Sequence, residues 1–158
     1  MTTSILPCGE PAVPELEDLL ARIDTEKRIF DQIVWPPASA DAFEGLGVFA
    51  RDTLQTELPP GYIALLRRND GIDFNSYAIY GANEHARPFL SGFAEANMRL
   101  SDPAAKFVFY GDTGHEFYAQ ERQSGTWVVL DSPSLDAIVR FPSFDTLLMH
   151  VLTLACAE

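Results

Sequence analysis

The fold is decided by the stretch from residue 58 to residue 71, which reads Leu58-Pro59-Pro60-Gly61-Tyr62-Ile63-Ala64-Leu65-Leu66-Arg67-Arg68-Asn69-Asp70-Gly71. Its two prolines fix φ and fit the first turn of a helix. Tyr62, Leu65 and Leu66 then share one helical face, because they follow at i, i+3 and i+4. Asn69-Asp70-Gly71 predicts the helix end, since Gly71 can adopt positive φ. The stretch therefore predicts one amphipathic helix.

Two more helices are expected before this stretch. Pro14 fits the first turn of a helix that runs to about Ile33, with an apolar face of Leu16, Leu19, Leu20, Ile23 and Phe30. Ser39 can cap a second helix from Ala40 to about Thr56, which internal glycines weaken. Residues 1–13 contain turn-forming residues and few apolar ones. We therefore expect a loose N-terminal arm over 1–13 and a single domain over 14–158.

The residues after the stretch change from helical to strand-like patterns. Short segments rich in aromatic and β-branched residues predict strands over 77–80, 106–110, 116–122, 126–131 and 137–141. Residues 123–125 and 112–114 predict turns, residues 93–99 a short helix, and Ser143 the cap of a last helix through Ala155. This order predicts an α+β fold. Its antiparallel sheet, of about five to six short strands in the C-terminal half, is covered by N-terminal helices and a C-terminal helix.

The pattern Leu-Pro-x-x-Tyr-x-x-Leu-Leu-x-x-Asn-x-Gly over residues 58–71 resembles the signature of the SUKH superfamily. This superfamily contains bacterial immunity proteins and fungal cell-wall-assembly regulators. Asp70 is a minor departure, because an Asn or Gly would be as common at that position. The resemblance runs from about Trp35 to Leu154, and its opening at 35–39 is similar to the YrhA-like branch.

Further segments follow the order of the superfamily with lower specificity. They are 77–81, 107–112, the hairpin arms 116–120 and 127–131, and the terminal helix motif at 143–148. The resemblance implies structural roles for the residues that match these motifs. Those residues are Leu58, Pro59, Tyr62, Leu65, Leu66, Asn69, Gly71, Gly111 and Phe144.

Charge and composition argue against several functions. The chain has 23 acidic and 11 basic residues and a net charge of −12, which disfavours nucleic-acid binding because phosphate contacts need a basic surface. The sequence shows neither a signal peptide nor a membrane span of ~20 apolar residues, so we expect a cytoplasmic protein. Cys8 and Cys156 form no metal or redox motif, and no cofactor is expected. The basic pairs Lys27-Arg28 and Arg67-Arg68 are interpreted as solvated faces.

Asp112, His115 and Glu116 form the most suggestive group for chemistry, since a hydrolase or metal site needs such side chains to converge. They lie in and just after one turn, and neighbours in a strand point to opposite faces. A metal site also needs three or four ligands. We therefore expect neither catalysis nor a metal, with Asp112 and Thr113 satisfying backbone groups in the turn and His115 at the surface. The alternative is a small hydrolase or ligand-binding protein that uses these three residues.

A protein-binding surface is the other candidate site. Tyr77, Tyr80, Tyr118 and Trp127 can either pack in the core or lie at an interface, where Tyr and Trp dominate the hot spots. Loop or strand-edge positions with acidic and aromatic neighbours predict a partner-binding surface. Its residues are Asp73, Asn75, Tyr77, Asp112, His115, Glu116 and Tyr118.

The SUKH resemblance implies a non-catalytic immunity protein that binds and neutralises a cognate toxin, often a nuclease. A nuclease domain that grips phosphate is usually basic, and an acidic chain would capture it quickly through complementary charge. The alternative within the same fold is an intracellular regulator or scaffold without a toxin partner.

Overall fold

The computed structural model describes residues 15–86, 89–100 and 105–157 and shows the predicted α+β fold. The predicted arm over 1–13 lies outside the described residues. The helices are α1 (Leu16–Ile29), α2 (Ala40–Val48), α3 (Pro60–Arg68), α4 (Phe93–Arg99) and α5 (Phe144–Ala157). The strands are β1 (Ile72–Phe74), β2 (Tyr77–Ile79), β3 (His85–Ala86), β4 (Phe89–Leu90), β5 (Phe107–Asp112), β6 (Glu116–Glu121), β7 (Trp127–Asp131) and β8 (Ala137–Phe141).

α1 is shorter than the sequence predicts. It ends at Ile29 rather than at about Ile33, and Asp31 just beyond it adopts a left-handed φ of 57°. A residue in this conformation cannot continue a right-handed helix. Leu19, Leu20 and Ile23 are buried as predicted, whereas Leu16 is half-buried.

α2 begins where the sequence predicts and then changes its winding. The Ser39 hydroxyl accepts a hydrogen bond from the Ala42 amide at 3.1 Å, which is the expected N-cap. After Val48 the helix continues as a π-helical segment, Phe49–Leu54, and Gln55 closes it with a φ of 54°. The predicted second helix is therefore present, but its second half has a wider turn.

α3 confirms the helix that the opening stretch predicts. Pro59 occupies the N-cap position and Pro60 the first turn, and the three apolar residues of the pattern are all buried. Gly71 takes a φ of 94°, and a Cβ atom there would lie 2.9 Å from the backbone nitrogen of Gly81. Both facts require glycine at the point where the chain leaves the helix.

The main sheet has six strands in the order β1-β2-β5-β6-β7-β8, and every neighbouring pair is antiparallel. β3 and β4 form a separate small hairpin. The strands β1, β3 and β4 were not predicted. Each has only two or three residues, which is too short to show an alternating pattern.

Three hairpin turns meet at one end of this sheet. The strand registers place them side by side, because Ala78 pairs with Asp112 and Glu116 pairs with Asp131. We call this region the turn end of the sheet. It comprises the turns 75–76, 113–115 and 132–136 with the flanking residues Asp112, Glu116 and Asp131.

Aromatic rings form the centre of the core between the helices and the sheet. Neighbouring rings in this group have centroids 4.9 to 5.8 Å apart, in tilted or edge-on arrangements. Its members are Tyr62, Phe93, Tyr110, Trp127 and Phe144. The Tyr62 hydroxyl also donates a hydrogen bond to the Tyr80 carbonyl at 2.5 Å. Two residues of the family pattern, Tyr62 and Phe144, thus join α3 and α5 to the sheet.

β5 is supported on both sides near its centre. The Asn97 side chain of α4 donates to the Phe109 carbonyl at 2.8 Å and accepts from the Phe109 amide at 2.8 Å, as a neighbouring strand would. Two residues later, a Cβ atom on Gly111 would lie 2.2 Å from the Ala78 carbonyl oxygen. The close approach of β2 therefore explains the glycine at this position.

Candidate functional site

A buried carboxylate fixes the segment that follows β2. Asp70 is 2% exposed, and its carboxylate accepts hydrogen bonds from the Ala82 amide at 2.6 Å and the Asn83 side chain at 2.9 Å. His85 Nε2 lies 3.3 Å from the same carboxylate, and the His85 ring stacks on Trp35 with centroids 3.9 Å apart. Asp70, the departure from the family pattern, thus has a structural role.

Lys27 and Asp73 form a buried ion pair next to this carboxylate. Lys27 is 4% exposed, and its ammonium group donates to the Asp73 carbonyl at 2.8 Å and to the Asp73 carboxylate. Trp35 Nε1 donates to the same carboxylate at 3.3 Å, and Asn69 donates to the Trp35 carbonyl at 2.8 Å. The prediction that Lys27 belongs to a solvated face is therefore wrong. We call these residues the buried polar cluster: Lys27, Trp35, Asn69, Asp70, Asp73 and His85.

Arg68 also differs from the expected solvated face. Its guanidinium group donates to Glu17 at 2.8 Å and to Asp24 at 2.9 Å. The hydrogen bond from Arg68 lowers the pKa of Glu17. These pairs connect α3 to α1, so this arginine links two helices.

A cleft of about 590 Å³ opens between the end of α1 and the β1–β2 hairpin, and we call it the α1 cleft. Three residues of the predicted surface, Asp73, Asn75 and Tyr77, line it. The Asp73 carboxylate forms an ion pair with Lys27. Asn75 is exposed, and its side-chain amide donates to the Ala155 carbonyl at 2.9 Å. The structure therefore brings these three predicted residues together around one concave surface.

Three large apolar side chains at and after the end of α1 are exposed. Ile33 lines the α1 cleft and is 41% exposed, and Ile29 and Phe30, which precede it in the chain, are 66% and 70% exposed. The sequence interpretation placed Phe30 on the buried face of α1. The basic residues Lys27 and Arg28 could have corrected it, because cations favour the last turn of a helix.

The turn end extends this surface with acidic side chains. Asp112 is half-buried, and its carboxylate accepts a hydrogen bond from the Tyr80 hydroxyl at 2.6 Å. Burial raises the pKa of Asp112, although the hydrogen bond from Tyr80 opposes this effect. Asp112 pairs with Ala78, which lines the α1 cleft, so the two regions are continuous. Residues 112–116 and 131–137 contain four carboxylates and no Lys or Arg.

The group of Asp112, His115 and Glu116 is organised as a turn. Thr113 Oγ1 accepts hydrogen bonds at 3.1 Å from the amides of both His115 and Glu116, as the sequence suggested for its role. The His115 side chain is exposed as predicted. The Asp112 carboxylate accepts from the Tyr80 hydroxyl, and no backbone amide of the described residues donates to it, so the turn role predicted for Asp112 is wrong. Within residues 15–86, 89–100 and 105–157, no group of three His, Cys, Asp or Glu residues could hold a metal ion.

Tyr118 is the one predicted surface residue that the structure places in the core. Its side chain is 0% exposed, and so it offers no area to a partner. Tyr80 and Trp127 are buried as well, whereas Tyr77 is half-buried at the α1 cleft. Of the four aromatic residues left open by the sequence, only Tyr77 remains a candidate for an interface.

Comparison of the chain with models of known protein families finds no match, and comparison with curated proteins finds none either. The SUKH resemblance of residues 58–71 therefore stays a prediction. Among the residues that the structure describes, no helix has both the length and the apolar composition needed to cross a bilayer.

Proposed function

We propose that this protein is a non-catalytic binding domain that captures a basic partner protein, and that the partner is a toxin which it neutralises. The observation that carries this proposal is the continuous surface of the α1 cleft and the turn end. The cleft carries the exposed Ile33, with Ile29 and Phe30 exposed just before it in the chain, and the turn end carries carboxylates without Lys or Arg in the same turns.

The apolar part of this surface would supply the affinity. Phe30 and Ile29 are largely exposed in the isolated chain, and covering them removes apolar area from water at about 25 cal/mol per Å². Large apolar side chains beside a cleft are typical of protein-binding sites. Tyr77, half-buried at the cleft, adds an aromatic anchor of the kind found at hot spots.

The acidic part would select the partner. Glu116 and Asp136 lie at the turn end, and the net charge of −12 adds a long-range field of the same sign. Such a field speeds the encounter with a basic protein and repels acidic ones. A toxin that acts on nucleic acid carries a basic surface, which matches the immunity role implied by the SUKH resemblance. A cytoplasmic location belongs to the same proposal.

The test is capture of partners from a lysate of the source organism, with the full chain as bait at low and at raised salt. We expect a stoichiometric basic protein whose retention falls as salt rises, because salt screens exposed charges. Loss of the partner's activity on binding would support neutralisation. A captured partner with no toxic activity would instead favour the regulator or scaffold alternative.

Two variants locate the surface in the same experiment. Glu116→Lys combined with Asp136→Lys should weaken capture, and so should Phe30→Ala. Glu57→Lys is the matched control, because Glu57 is exposed and lies near Leu54, which Arg122 contacts at the opposite end of the sheet. Equal capture by the turn-end variant, by Phe30→Ala and by the unchanged chain would contradict the proposed surface.

A further inference from the structure

A second cleft, of about 330 Å³, lies at the other end of the sheet. Arg122 comes directly after the last residue of β6, and the 113–115 turn of the turn end comes directly before the first residue of β6. The cleft and the turn end therefore lie at opposite ends of this strand. We call it the Arg122 cleft. Its lining includes Phe49, Thr53, Leu54, Asn97, Phe107 and Arg122. Its volume is at the lower end of the range for sites that hold small organic molecules.

Among the residues that the structure describes, no carboxylate forms an ion pair with Arg122, a cation that lines this cleft. Its Nη1 donates to the Leu54 carbonyl at 2.6 Å, which fixes the guanidinium group against the π-helical segment. Its Nε is buried and has no hydrogen-bond partner among the described residues. By contrast, Lys27, Arg68 and Arg140 each form an ion pair with a carboxylate. A guanidinium that is partly buried and lacks a counter-charge favours an anionic ligand.

The rest of the lining is mostly apolar, with Thr53 as an exposed hydroxyl. Phe49, Leu54 and Phe107 present apolar surface, and Met98 is 60% exposed at the cleft. The Asn97 amide is occupied, because both its oxygen and its nitrogen bond to the backbone of β5. The cleft therefore offers a ligand one positive charge and an apolar wall.

We propose that the Arg122 cleft binds a small carboxylic acid with one apolar body, such as an aromatic ring or a short alkyl chain. The carboxylate accepts a charge-assisted hydrogen bond from Nη2, because Nη1 donates to Leu54 and Nε is buried. The apolar body lies against Phe49 and Phe107. This site is separate from the surface proposed for the protein partner.

The test is isothermal titration of the full chain with phenylacetate and with hexanoate, and with phenylacetamide as the neutral control of the same shape. We expect saturable binding of an acid at one site per chain. The amide should bind at least about tenfold more weakly, since a hydrogen bond to a charged group contributes that much to affinity.

Variants separate the charge from the shape of the cleft. Arg122→Gln should reduce the affinity for the acid about tenfold or more, while its weak binding of phenylacetamide stays the same. Arg122→Gln also removes a donor to the Leu54 carbonyl, so a second variant is needed. Thr53→Trp fills the mouth of the cleft and leaves the guanidinium group in place. This variant should abolish binding of the acid. Arg51→Gln is the control, because Arg51 is an exposed arginine of the same segment outside the lining.

Three results would overturn the proposal: no saturable binding of either acid, equal affinity for acid and amide, or unchanged affinity in a folded Thr53→Trp protein. Partner capture should be the same with Arg122→Gln as with the unchanged chain. The failure of one site would therefore not be mistaken for the failure of the other.

Discussion

The buried polar cluster and the turn end contain the same kinds of charged side chain but use them in opposite ways. In the cluster, Asp70 and Asp73 are enclosed, and each receives several hydrogen bonds from groups far along the chain. At the turn end, Glu116 and Asp136 form no ion pair with a described residue. Glu116 is half-buried and Asp136 is exposed. The hydrogen-bond donors around a carboxylate therefore decide whether it stabilises the fold or remains available to a partner.

The largest effect is expected on breaking the buried ion pair. Asp73→Ala leaves the Lys27 ammonium group buried without its counter-charge, which should lower the free energy of unfolding by about 4 kcal/mol. Urea unfolding followed by tryptophan fluorescence and circular dichroism measures the change. A loss under about 1 kcal/mol would show that the pair is not buried in solution.

Two controls sharpen this prediction. Lys27→Met combined with Asp73→Leu removes both charges and should recover much of the stability, because an apolar pair avoids the desolvation penalty. Asp52→Ala removes one member of the exposed Arg51–Asp52 pair and should leave stability close to unchanged.

Asp70 should have the next largest effect. Asp70→Ala removes the acceptor of the Ala82 amide and the Asn83 side chain, so we expect a loss of about 2 kcal/mol in the same unfolding experiment. Asp70→Asn keeps one acceptor and should retain more than half of that stability. If Asp70→Asn and Asp70→Ala were equally destabilised, the hydrogen bonds would not explain the role of this residue.

A smaller, pH-dependent change in the free energy of unfolding is expected at Asp112, whose side chain is half-buried. Burial raises the pKa of Asp112 above its ordinary value of 3.8. The folded chain therefore holds its proton to higher pH than the unfolded chain, and stability from this group is lost as pH rises through the folded pKa. The window lies at and just above the ordinary aspartate value.

Asp112→Asn removes this titration and keeps an oxygen for the Tyr80 hydroxyl. Its stability relative to the unchanged chain should therefore increase as pH rises from strongly acidic to neutral. Unfolding measured across that range checks the sign. A relative stability that falls with rising pH would mean that the hydrogen bond, and not burial, dominates the pKa of Asp112.

The smallest effect on stability is expected at the turn end itself. Glu116→Lys with Asp136→Lys should change the free energy of unfolding by no more than about 0.5 kcal/mol, because neither side chain forms a hydrogen bond or ion pair with a described residue. The same protein should bind the partner more slowly. A large loss of stability would place these residues with the buried polar cluster instead.

The sequence could predict what depends on local spacing. The α3 helix follows from prolines, a three-residue face and Gly71 within one stretch, and the structure confirms all three. The hairpin at 123–125 is likewise confirmed, with Gly125 at a φ of 74°. These features need no knowledge of the rest of the chain.

The sequence could not predict what depends on distant partners. Lys27 looked solvated because Asp73 is far away along the chain, and Tyr118 looked equally suited to the surface and the core. Tyr118 is fully buried on β6, although Phe117 and Gln120 of the same strand are only half-buried. Phe30 is exposed because α1 ends one residue before it, an end that the apolar pattern does not show. The sequence therefore predicted one side of the α1 cleft, through Asp73, Asn75 and Tyr77, and missed the side at the end of α1.

The most direct test of the account is amide hydrogen exchange of the chain, alone and bound to the captured partner. We predict that binding slows exchange over 29–33, 75–77 and 112–116, the α1 cleft and the turn end, and leaves α2 and β8 unchanged. Protection confined to α2, to β8 or to the Arg122 cleft, with none at the turn end, would contradict the proposed surface.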